Sequence, residues 1–448
     1  SREAGGWSWR APPNPVHPGK TPESKERLMG ITVAKATRAM KWSRLDFSGV
    51  SDGRKARGKR HGHAGLLRQA VAAMAAGMRS LRQFEAFGEG LTGRALRAFG
   101  LKRAPSDTCM YGMLSKQAHS GLDQVLVQQV KDAIEQKVIS NDLFDTGVIA
   151  IDGKSIWSGP CEAVPQARKT PGENGLPTWF VMAQRACLVS SSARPVVHQK
   201  LMNANEGEAT TFRETFRWLL ENFGKSFEFV TYDAGGVSRE NARVVHEAER
   251  AYWFAIKGSQ PSVLMAARTR LGSKEDMGDS SREGSVRLEE RSQGRDVVRE
   301  AFCVSVTERD PELEFPGAKQ LWRIRMTSTQ RDDAGKLVDR HVEDRYFITN
   351  RVLSPKNGLR LARLHWGIEN GPNWTMDVML GEDDGSVCTK GVAVEVWSWL
   401  RLMAYNLVSF WRRHLRPRHG DAVSWLDTMN HLRDSFVSLV DGPRLMPV

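Results

Sequence analysis

The fold is decided by Gly147-Val148-Ile149-Ala150-Ile151-Asp152-Gly153-Lys154-Ser155, in which a run of four apolar residues ends in a carboxylate followed by glycine. Such a run is typical of a central strand with both faces buried. Because a lone carboxylate would be costly in mid-strand, we expect Asp152 at the open end of the strand, where it can reach solvent or a metal ion. The pattern recurs in Phe227-Glu228-Phe229-Val230-Thr231-Tyr232-Asp233-Ala234-Gly235. The sequence therefore predicts two buried strands that each end in an aspartate.

The composition favours a basic protein with more than one domain. The chain has 448 residues, enough for roughly two or three domains. Its formal net charge of +13 indicates a polyanionic partner, with nucleic acid ahead of an anionic membrane surface. Charge alone decides little, because many basic proteins bind no nucleic acid specifically.

The cysteine and hydropathy patterns indicate a reducing compartment and no membrane. The five cysteines are widely spaced and form no CxxC pair, so we expect neither a zinc site nor a disulfide framework. The sequence contains no run of about 18 apolar residues, so we expect no membrane span. The first residues contain no secretory h-region. A cytoplasmic location fits these features best.

Most of the excess charge lies near the N-terminus. Between Lys25 and Arg68 there are twelve Lys or Arg residues against three Asp or Glu residues, a net of +9. We interpret the densest part, residues 54–63, as a phosphate-binding loop; the alternative is a solvated basic linker. Under this interpretation residues 1–68 can be removed without unfolding the core. The candidate DNA-binding residues of the loop are Arg54, Lys55, Arg57, Lys59 and Arg60.

The first third of the chain has helical spacing. A Pro/Gly/Ser-rich arm over residues 1–24 is followed by apolar residues at helical intervals over 66–87 and again over 122–138. These patterns predict an all-α N-terminal region. It has room for a helix-turn-helix, but no residue pattern specifies one.

From Gly147 onward the pattern becomes strand-rich. Strands predicted at 178–189 and 195–202 follow the Asp152 strand, and a helix at 208–223 precedes the Asp233 strand. With the next helix and strand, the order is β-β-β-α-β-α-β, that of a ribonuclease-H-like core in which the first and fourth strands are adjacent. Residues 261–344 are polar and alternating, which predicts an antiparallel β insertion.

Asp152, Asp233 and Glu369 form a candidate set of three carboxylates. The first two follow predicted strands, and Glu369 is expected on a helix that begins at Ser354-Pro355. Two divalent cations held about 3.5–4 Å apart across one phosphate require acidic ligands, and Mg²⁺ prefers carboxylate and water oxygens. Each aspartate alone could equally cap a turn, so the interpretation depends on all three together.

Several blocks of the sequence resemble a known family. In their combination and order they are similar to the signature blocks of the H-repeat-associated type of bacterial insertion-sequence transposase, within the DDE cut-and-paste superfamily. The resemblance runs from about Asp52 to Leu407. The blocks are VIAIDGK at Val148–Lys154, VTYDA at Val230–Ala234, IKGSQP at Ile256–Pro261, HWGIEN at His365–Asn370, NWTMDV at Asn373–Val378 and GED at Gly381–Asp383.

The resemblance implies a function and a set of partners. It implies a Mg²⁺-dependent DNA transposase, in which Mn²⁺ can substitute, with Asp152, Asp233 and Glu369 as catalytic residues and metal ligands. The partners would be double-stranded DNA, as terminal inverted repeats and target DNA, and a second copy of the chain in a homodimer. A bacterial, nucleoid-associated location and no membrane would follow.

The fold class implied is α/β: a ribonuclease-H-like catalytic core with a β-strand insertion, preceded by an all-α N-terminal domain and followed by C-terminal helices. The boundaries we predict are a flexible basic arm at 1–50, a helical DNA-binding domain at 51–140, the first part of the core at 141–260, the β insertion at 261–344, the second part of the core with the glutamate helix at 345–390, and C-terminal helices at 391–448.

Three further basic residues are candidates for DNA contacts. Lys154 and Lys257 closely follow core strands, and His365 stands four residues before Glu369, where the family usually has a basic residue. On a helix this spacing places His365 on the same face as Glu369. A packing histidine is the alternative.

The sequence departs from the family pattern at two places. Trp157 stands where the family commonly has Arg, and Gly371-Pro372-Asn373 replaces a basic-Leu-His stretch. Pro372 is expected to end or kink the helix beyond Glu369, so Asp377 or Glu382 is the fallback third acid. Trp157, Trp366 and Trp374 lie near the motifs; they are either core residues or, for one of them, a stacking partner for a flipped base.

Two alternatives to a transposase remain open on the sequence. One is a ribonuclease-H-like nuclease that cuts DNA but does not integrate it. The other is a domesticated DNA-binding protein whose acidic site is silent.

Overall fold

The structure is a computed structural model of the chain. No helix among its described residues is long and apolar enough to cross a membrane. The described residues are 45–56, 59–116, 120–172, 175–233, 235–272, 285–292, 294–307, 309–310, 313, 315–332, 334–382, 391–415 and 423–441.

The N-terminal part is helical, as its spacing predicts. The single helix predicted over 66–87 is wrong, because the chain turns at Gly77, with φ of +89°, and restarts at Ser80. The Ser80 side chain and Gln83 cap each other's backbone in a capping box. The helices are α1 His63–Ala75, α2 Leu81–Glu89, α3 Gly93–Phe99, α4 Asp107–Leu114 and α5 Leu122–Glu135.

A single mixed sheet forms the centre of the molecule. Its ten described strands run in the order β2-β3-β1-β5-β6-β10-β9-β8-β7, with β4 paired to β3. The strands are β1 Val148–Gly159, β2 Arg168–Pro171, β3 Pro177–Leu188, β4 Val196–Leu201, β5 Phe229–Tyr232, β6 Ala251–Ile256, β7 Ser285–Ser292, β8 Arg295–Ser305, β9 Gln320–Arg331 and β10 Leu337–Thr349.

The predicted adjacency of the two aspartate strands is confirmed. Strands β1 and β5 are parallel, and Ile151 is in register with Tyr232. The aspartates that follow these two residues are therefore neighbours across the sheet. The predicted strand end at Asp152 is wrong, because β1 continues to Gly159 as an antiparallel partner of β3. Only the parallel neighbour ends there, since β5 stops at Tyr232.

Helices cover both faces of the sheet. One face packs Ile149 and Ile151 against α6, and the other packs Val148 and Ala150 against α9. This alternation is the two-residue period of a strand. The later helices are α6 Glu208–Phe223, α7 Arg239–Glu247, α8 Pro261–Leu271, α9 Pro355–His365, α10 Trp374–Val378, α11 Ala393–Leu415 and α12 Trp425–Asp441.

The inserted segment differs from its prediction in two ways. It begins with a helix, α8, which starts at Pro261 in the first helical turn. Its strands are antiparallel, as predicted, but the predicted boundary at 344/345 falls inside β10, which runs from Leu337 to Thr349 and pairs with both β9 and β6. The insertion therefore extends the central sheet at one edge.

The N-terminal and C-terminal helices share one hydrophobic core. Phe84 of α2 stacks on Trp397 of α11 with ring centroids 5.1 Å apart, and Phe436 of α12 contacts Phe87 and Phe99. The expectation that residues 1–68 are dispensable is wrong, because Leu45, Phe47, Val50, Leu66 and Leu67 are buried in this same core. Most of the predicted arm, residues 1–44, lies outside the described residues.

We expect Phe84→Ala to lower the free energy of unfolding by about 3–5 kcal/mol, because it opens a cavity against Trp397. Denaturant unfolding followed by tryptophan fluorescence measures this loss. The matched control is Arg82→Ala, an exposed position on the same helix, which should stay within about 0.5 kcal/mol of the parent. Equal stabilities of the two variants would contradict a core shared between the chain ends.

Candidate active site

Two aspartates sit side by side where the parallel part of the sheet ends. Asp152 follows Ile151 on β1, and Asp233 follows Tyr232 on β5, the residue in register with Ile151. Neighbouring strands are about 4.8 Å apart, so the two side chains leave the sheet as a pair. Both residues are half-buried.

Glu369 reaches the aspartates from beyond the end of α9. The helix predicted to carry it ends at His365, and Glu369 opens a π-helical turn, Glu369–Asn373, that contains Pro372. The amide of Asn373 donates to the Ile368 carbonyl at 3.1 Å, a wider spacing than in an α-helix. Such turns are frequent at functional sites.

The acids act on one another electrostatically. Burial, and then the charges of Glu369, Glu208 and Asp233, raise the pKa of Asp152 to about 8. The pKa of the Glu369 carboxyl is also raised, first by the loss of water around the carboxyl group and then by the charge of Asp233. Part of the residue nevertheless remains exposed to solvent. Like charges in one place are mutually unfavourable, so this cluster favours a bound cation.

Each aspartate already has one polar partner. Lys257 Nζ lies 3.0 Å from Asp233 Oδ2, and the side-chain amide of Asn373 donates to Asp152 Oδ2 at 2.9 Å. The Lys257 and Asp233 side chains are 60% and 39% exposed, so their ion pair contributes no more than about 1 kcal/mol. An incoming cation or phosphate can therefore displace it at little cost.

The residues fit a hard divalent cation in chemistry. All the acidic donors are carboxylate oxygens, the ligands that Mg²⁺ prefers, and they repel one another without a cation. Among the described residues, however, no group of three His, Cys, Asp or Glu side chains is arranged tightly enough to hold one ion. Side-chain rotation is therefore part of any binding event at this site.

Both fallback acids have basic partners. Glu382 is fully buried and accepts hydrogen bonds from Arg185 at 2.6 and 2.7 Å and from Arg401 at 3.1 Å. Burial alone would raise the pKa of Glu382, but the two guanidiniums hold it below its usual range. Asp377 Oδ2 lies 2.5 Å from Lys154 Nζ.

This buried network also reaches the candidate site. Arg185 pairs across the strands with Asp152 in the backbone register, yet its guanidinium turns to Glu382. It also donates to the side-chain Oδ1 of Asn373 at 3.4 Å, and the Nδ2 of the same side chain donates to Asp152. The network therefore fixes the position of Asn373, and through it that of the Asp152 carboxylate.

His365 is a buried packing residue in the structure. The residue is 4% exposed, and its Nδ1 lies 3.0 Å from the Thr231 hydroxyl. Burial lowers the pKa of His365 to about 4, so the ring is neutral at pH 7. In this conformation it cannot present a charge to a phosphate.

The basic loop divides into buried and exposed members. Arg54 is 8% exposed and donates to both carboxylate oxygens of Asp52 and to the carbonyl oxygen of His61. Lys55, Lys59 and Arg60 are exposed, and Lys59 Nζ lies 3.5 Å from Asp52 Oδ2. Arg57 lies outside the described residues.

The three motif tryptophans have different surroundings. Trp157 is 7% exposed and packs in an apolar cluster with Val181 and Val394, which is a core position. Trp374 is half-buried. Trp366 lies under the guanidinium of Arg345 at 4.4 Å and lines a pocket of about 140 Å³ next to Glu369.

Glu208 is an acid at this site that the sequence analysis missed. Burial and then Asp233 raise the pKa of its carboxyl. The signal was indirect, because two glycines near the aspartates provide the room for it. A Cβ built on Gly153 would lie 2.4 Å from Glu208 Oε1, and one on Gly235 would lie 3.2 Å from Oε2.

Comparison with known families assigns the larger part of the chain to a family. Residues 143–407 match the family described as Transposase DDE domain. The chain belongs to this family. The match begins just before β1 and ends within α11, so it contains the whole sheet and all four acids. The resemblance to DDE transposases drawn from the sequence blocks is confirmed.

The relatives of this DDE-family chain include two proteins of Escherichia coli (strain K12). The H repeat-associated putative transposase YhhI and the putative protein YbfL are each 26% identical to it over 267 residues. Each alignment covers 59% of this chain and 65% of the relative. The chain therefore spans just under two thirds of the length of the relatives it matches.

A solved structure also aligns with the DDE-family chain. It is the piggyBac transposase synaptic complex with hairpin DNA, aligned with a TM-score of 0.41 at 10% identity over 94% of this chain and 80% of that one.

We expect Glu382→Gln to destabilise the protein by about 3–5 kcal/mol, because it leaves the buried guanidiniums of Arg185 and Arg401 without a counter-charge. Denaturant unfolding measures the change. The matched control is Glu214→Gln, whose ion pair with Lys200 has a carboxylate side chain 68% exposed; it should cost no more than about 1 kcal/mol. A Glu382→Gln variant as stable as this control would show that the network holds nothing in place.

Proposed function

We propose that the protein is a DNA transposase that cleaves DNA at the ends of a mobile element and joins those ends to target DNA, with Mg²⁺ as cofactor. The observation that carries the proposal is the pairing of Asp152 and Asp233 at the end of adjacent parallel strands, with Glu369 close enough to act on both. The family match supports the reaction class.

We assign each acid a role in holding the cations. Asp152, Asp233 and Glu369 would hold the cations together, because the charges of both Glu369 and Asp233 act on the Asp152 carboxyl. Two such cations lower the barrier by activating the attacking water or 3′-hydroxyl and by stabilising the leaving oxygen. Asn373 orients the Asp152 carboxylate by donating to its Oδ2.

Lys257 would change partners during the reaction. Its ammonium balances Asp233 in this structure, and because that ion pair is exposed the ammonium would exchange Asp233 for a DNA phosphate. Since the lysine follows β6, the strand next to β5, it stays within reach of the same scissile phosphate.

We also propose that β4-β3-β1-β5-β6 is a ribonuclease-H-like core. In that order, β1, β5 and β6 are parallel, while β3 is antiparallel to β1. The order supports the β-β-β-α-β-α-β assignment from the sequence. The remaining strands would then be the insertion that the fold class predicts.

The DNA partners are the terminal inverted repeats of the element and a target duplex. The helical N-terminal part, with the exposed Lys55, Lys59 and Arg60, would bind the repeats, and the acidic site would act on the phosphates. We further propose a homodimer on DNA, because two element ends must be held together for joint transfer.

The nuclease alternative and the silent DNA-binding alternative have separate tests. A nuclease would cut end-containing DNA with Mg²⁺ but would not join the cut end to a second duplex. A silent protein would bind DNA and cut it with neither Mg²⁺ nor Mn²⁺.

We expect Asp152→Asn, Asp233→Asn and Glu369→Gln each to reduce Mg²⁺-dependent cleavage of end-containing DNA by at least about 10³-fold, because each removes a charged ligand from the metal site. Gel assays of cleavage and strand transfer measure the loss. DNA binding by each variant should stay within about threefold of the parent, since binding relies on other residues.

The matched control is Glu240→Gln, a surface carboxylate paired with Arg243 on α7, which should cleave normally. Full activity in any of the three site variants would exclude that residue from catalysis. Full activity in all three would refute the proposed function.

We expect Lys55→Gln/Lys59→Gln/Arg60→Gln to weaken DNA binding at all sequences and to reduce the slope of log affinity against log salt by about 2 to 3, because three phosphate contacts are lost. Titrations at several salt concentrations measure this. The control is Lys225→Gln, an exposed lysine at the opposite end of β5 from Asp233. An unchanged slope in the triple variant would exclude these residues from the DNA interface.

A further inference from the structure

Glu208 is anchored over the strand that carries Asp152. It is the first residue of α6, and its carbonyl oxygen accepts hydrogen bonds from the Tyr232 hydroxyl at 3.1 Å and the Gln184 amide at 3.0 Å. Tyr232 and Gln184 lie on β5 and β3, the two strands that flank β1. The helix start is therefore tied to both neighbours of β1, directly above Gly153, which is in register with Gln184.

Two glycines leave space for the Glu208 carboxylate. A side chain on Gly153 would meet Oε1 at 2.4 Å, and one on Gly235 would approach Oε2 to 3.2 Å. Neither glycine has a positive φ, so backbone conformation does not explain their presence. What they provide is room for the carboxylate beside the residue that follows Asp152 and near Asp233.

The acids reach this point from opposite faces of the sheet. By strand alternation, Asp152 lies on the face covered by α9, as Ala150 does, while Glu208 comes from the α6 face with Ile151. Strand β5 ends at Tyr232, so beyond Ile151 the edge of β1 has no β5 partner, and this gap lets the two carboxylates approach each other around that edge. The charge of Glu208 acts on both Asp152 and Asp233 across this gap.

We propose that Glu208 is a fourth metal-ligating carboxylate of this centre, and that it shares one of the two divalent cations with Asp152. The inference rests on the proposed function, because it assigns a residue to the cation site of that reaction. It also gives Gly153 a specific role: the glycine leaves the space that the Glu208 carboxylate occupies beside the residue that follows Asp152. The first helical turn suits the acid, because helix N-termini favour negative charge.

The test measures binding of Mn²⁺ to the full chain by isothermal titration and electron paramagnetic resonance, without DNA. The parent should bind two ions. Glu208→Gln should weaken the second ion by at least about tenfold, and its unfolding temperature without metal should equal or exceed that of the parent, because one like charge is removed. Gly153→Ala should weaken the same ion while every acid remains in place, since the added methyl group displaces the Glu208 carboxylate.

Glu214→Gln, an exposed position on the same helix, is the matched control and should bind Mn²⁺ as the parent does. Two ions bound with parental affinity in Glu208→Gln would overturn the role of Glu208 and leave the proposed function intact. A parent protein that binds no Mn²⁺ at millimolar concentration would refute the proposed metal chemistry itself. Loss of Mn²⁺ binding in Glu208→Gln together with a lowered unfolding temperature would point to a structural role and also overturn the inference.

Discussion

The parallel pairing of β1 with β5 places Asp152 and Asp233 next to each other. Ile151 and Tyr232 are in register, so the next residue of each strand emerges beside the other at the point where β5 ends. Adjacent half-buried carboxylates repel each other unless a cation balances them or one of them holds a proton, and here Glu369 and Glu208 add to the repulsion. The requirement for a counter-charge at this point governs the rest of the site.

The nearby basic residues meet that requirement only in part. Lys257 balances Asp233 through an exposed and easily broken pair. Arg185, which is fully buried, stands opposite Asp152 in the register but is bound to Glu382. The buried arginines therefore stabilise the scaffold behind the site, and the site itself is left short of positive charge. This division fits the proposed cation site, because a fixed guanidinium would compete with a metal ion for the carboxylates.

The periodicity of apolar residues predicted the helices and strands that position the acids. It did not predict features that depend on contacts between residues distant in the sequence. The α6 helix and the adjacency of the aspartate strands followed from apolar spacing. The continuation of β1 past Asp152 did not, because it depends on pairing with β3. Charge density could not separate the buried Arg54 from its exposed neighbours, since its burial depends on Asp52 and His61. Glu208 was not predicted because the sequence signal for it is only a pair of glycines, Gly153 and Gly235, which leave space for its carboxylate.

The most direct test of the central claim is anomalous diffraction from crystals of the protein soaked in Mn²⁺. The account predicts two Mn²⁺ peaks about 3.5–4 Å apart, both within ligand distance of the carboxylates of Asp152, Asp233 and Glu369. Crystals that hold Mn²⁺ at other surface sites but none between these carboxylates would contradict it.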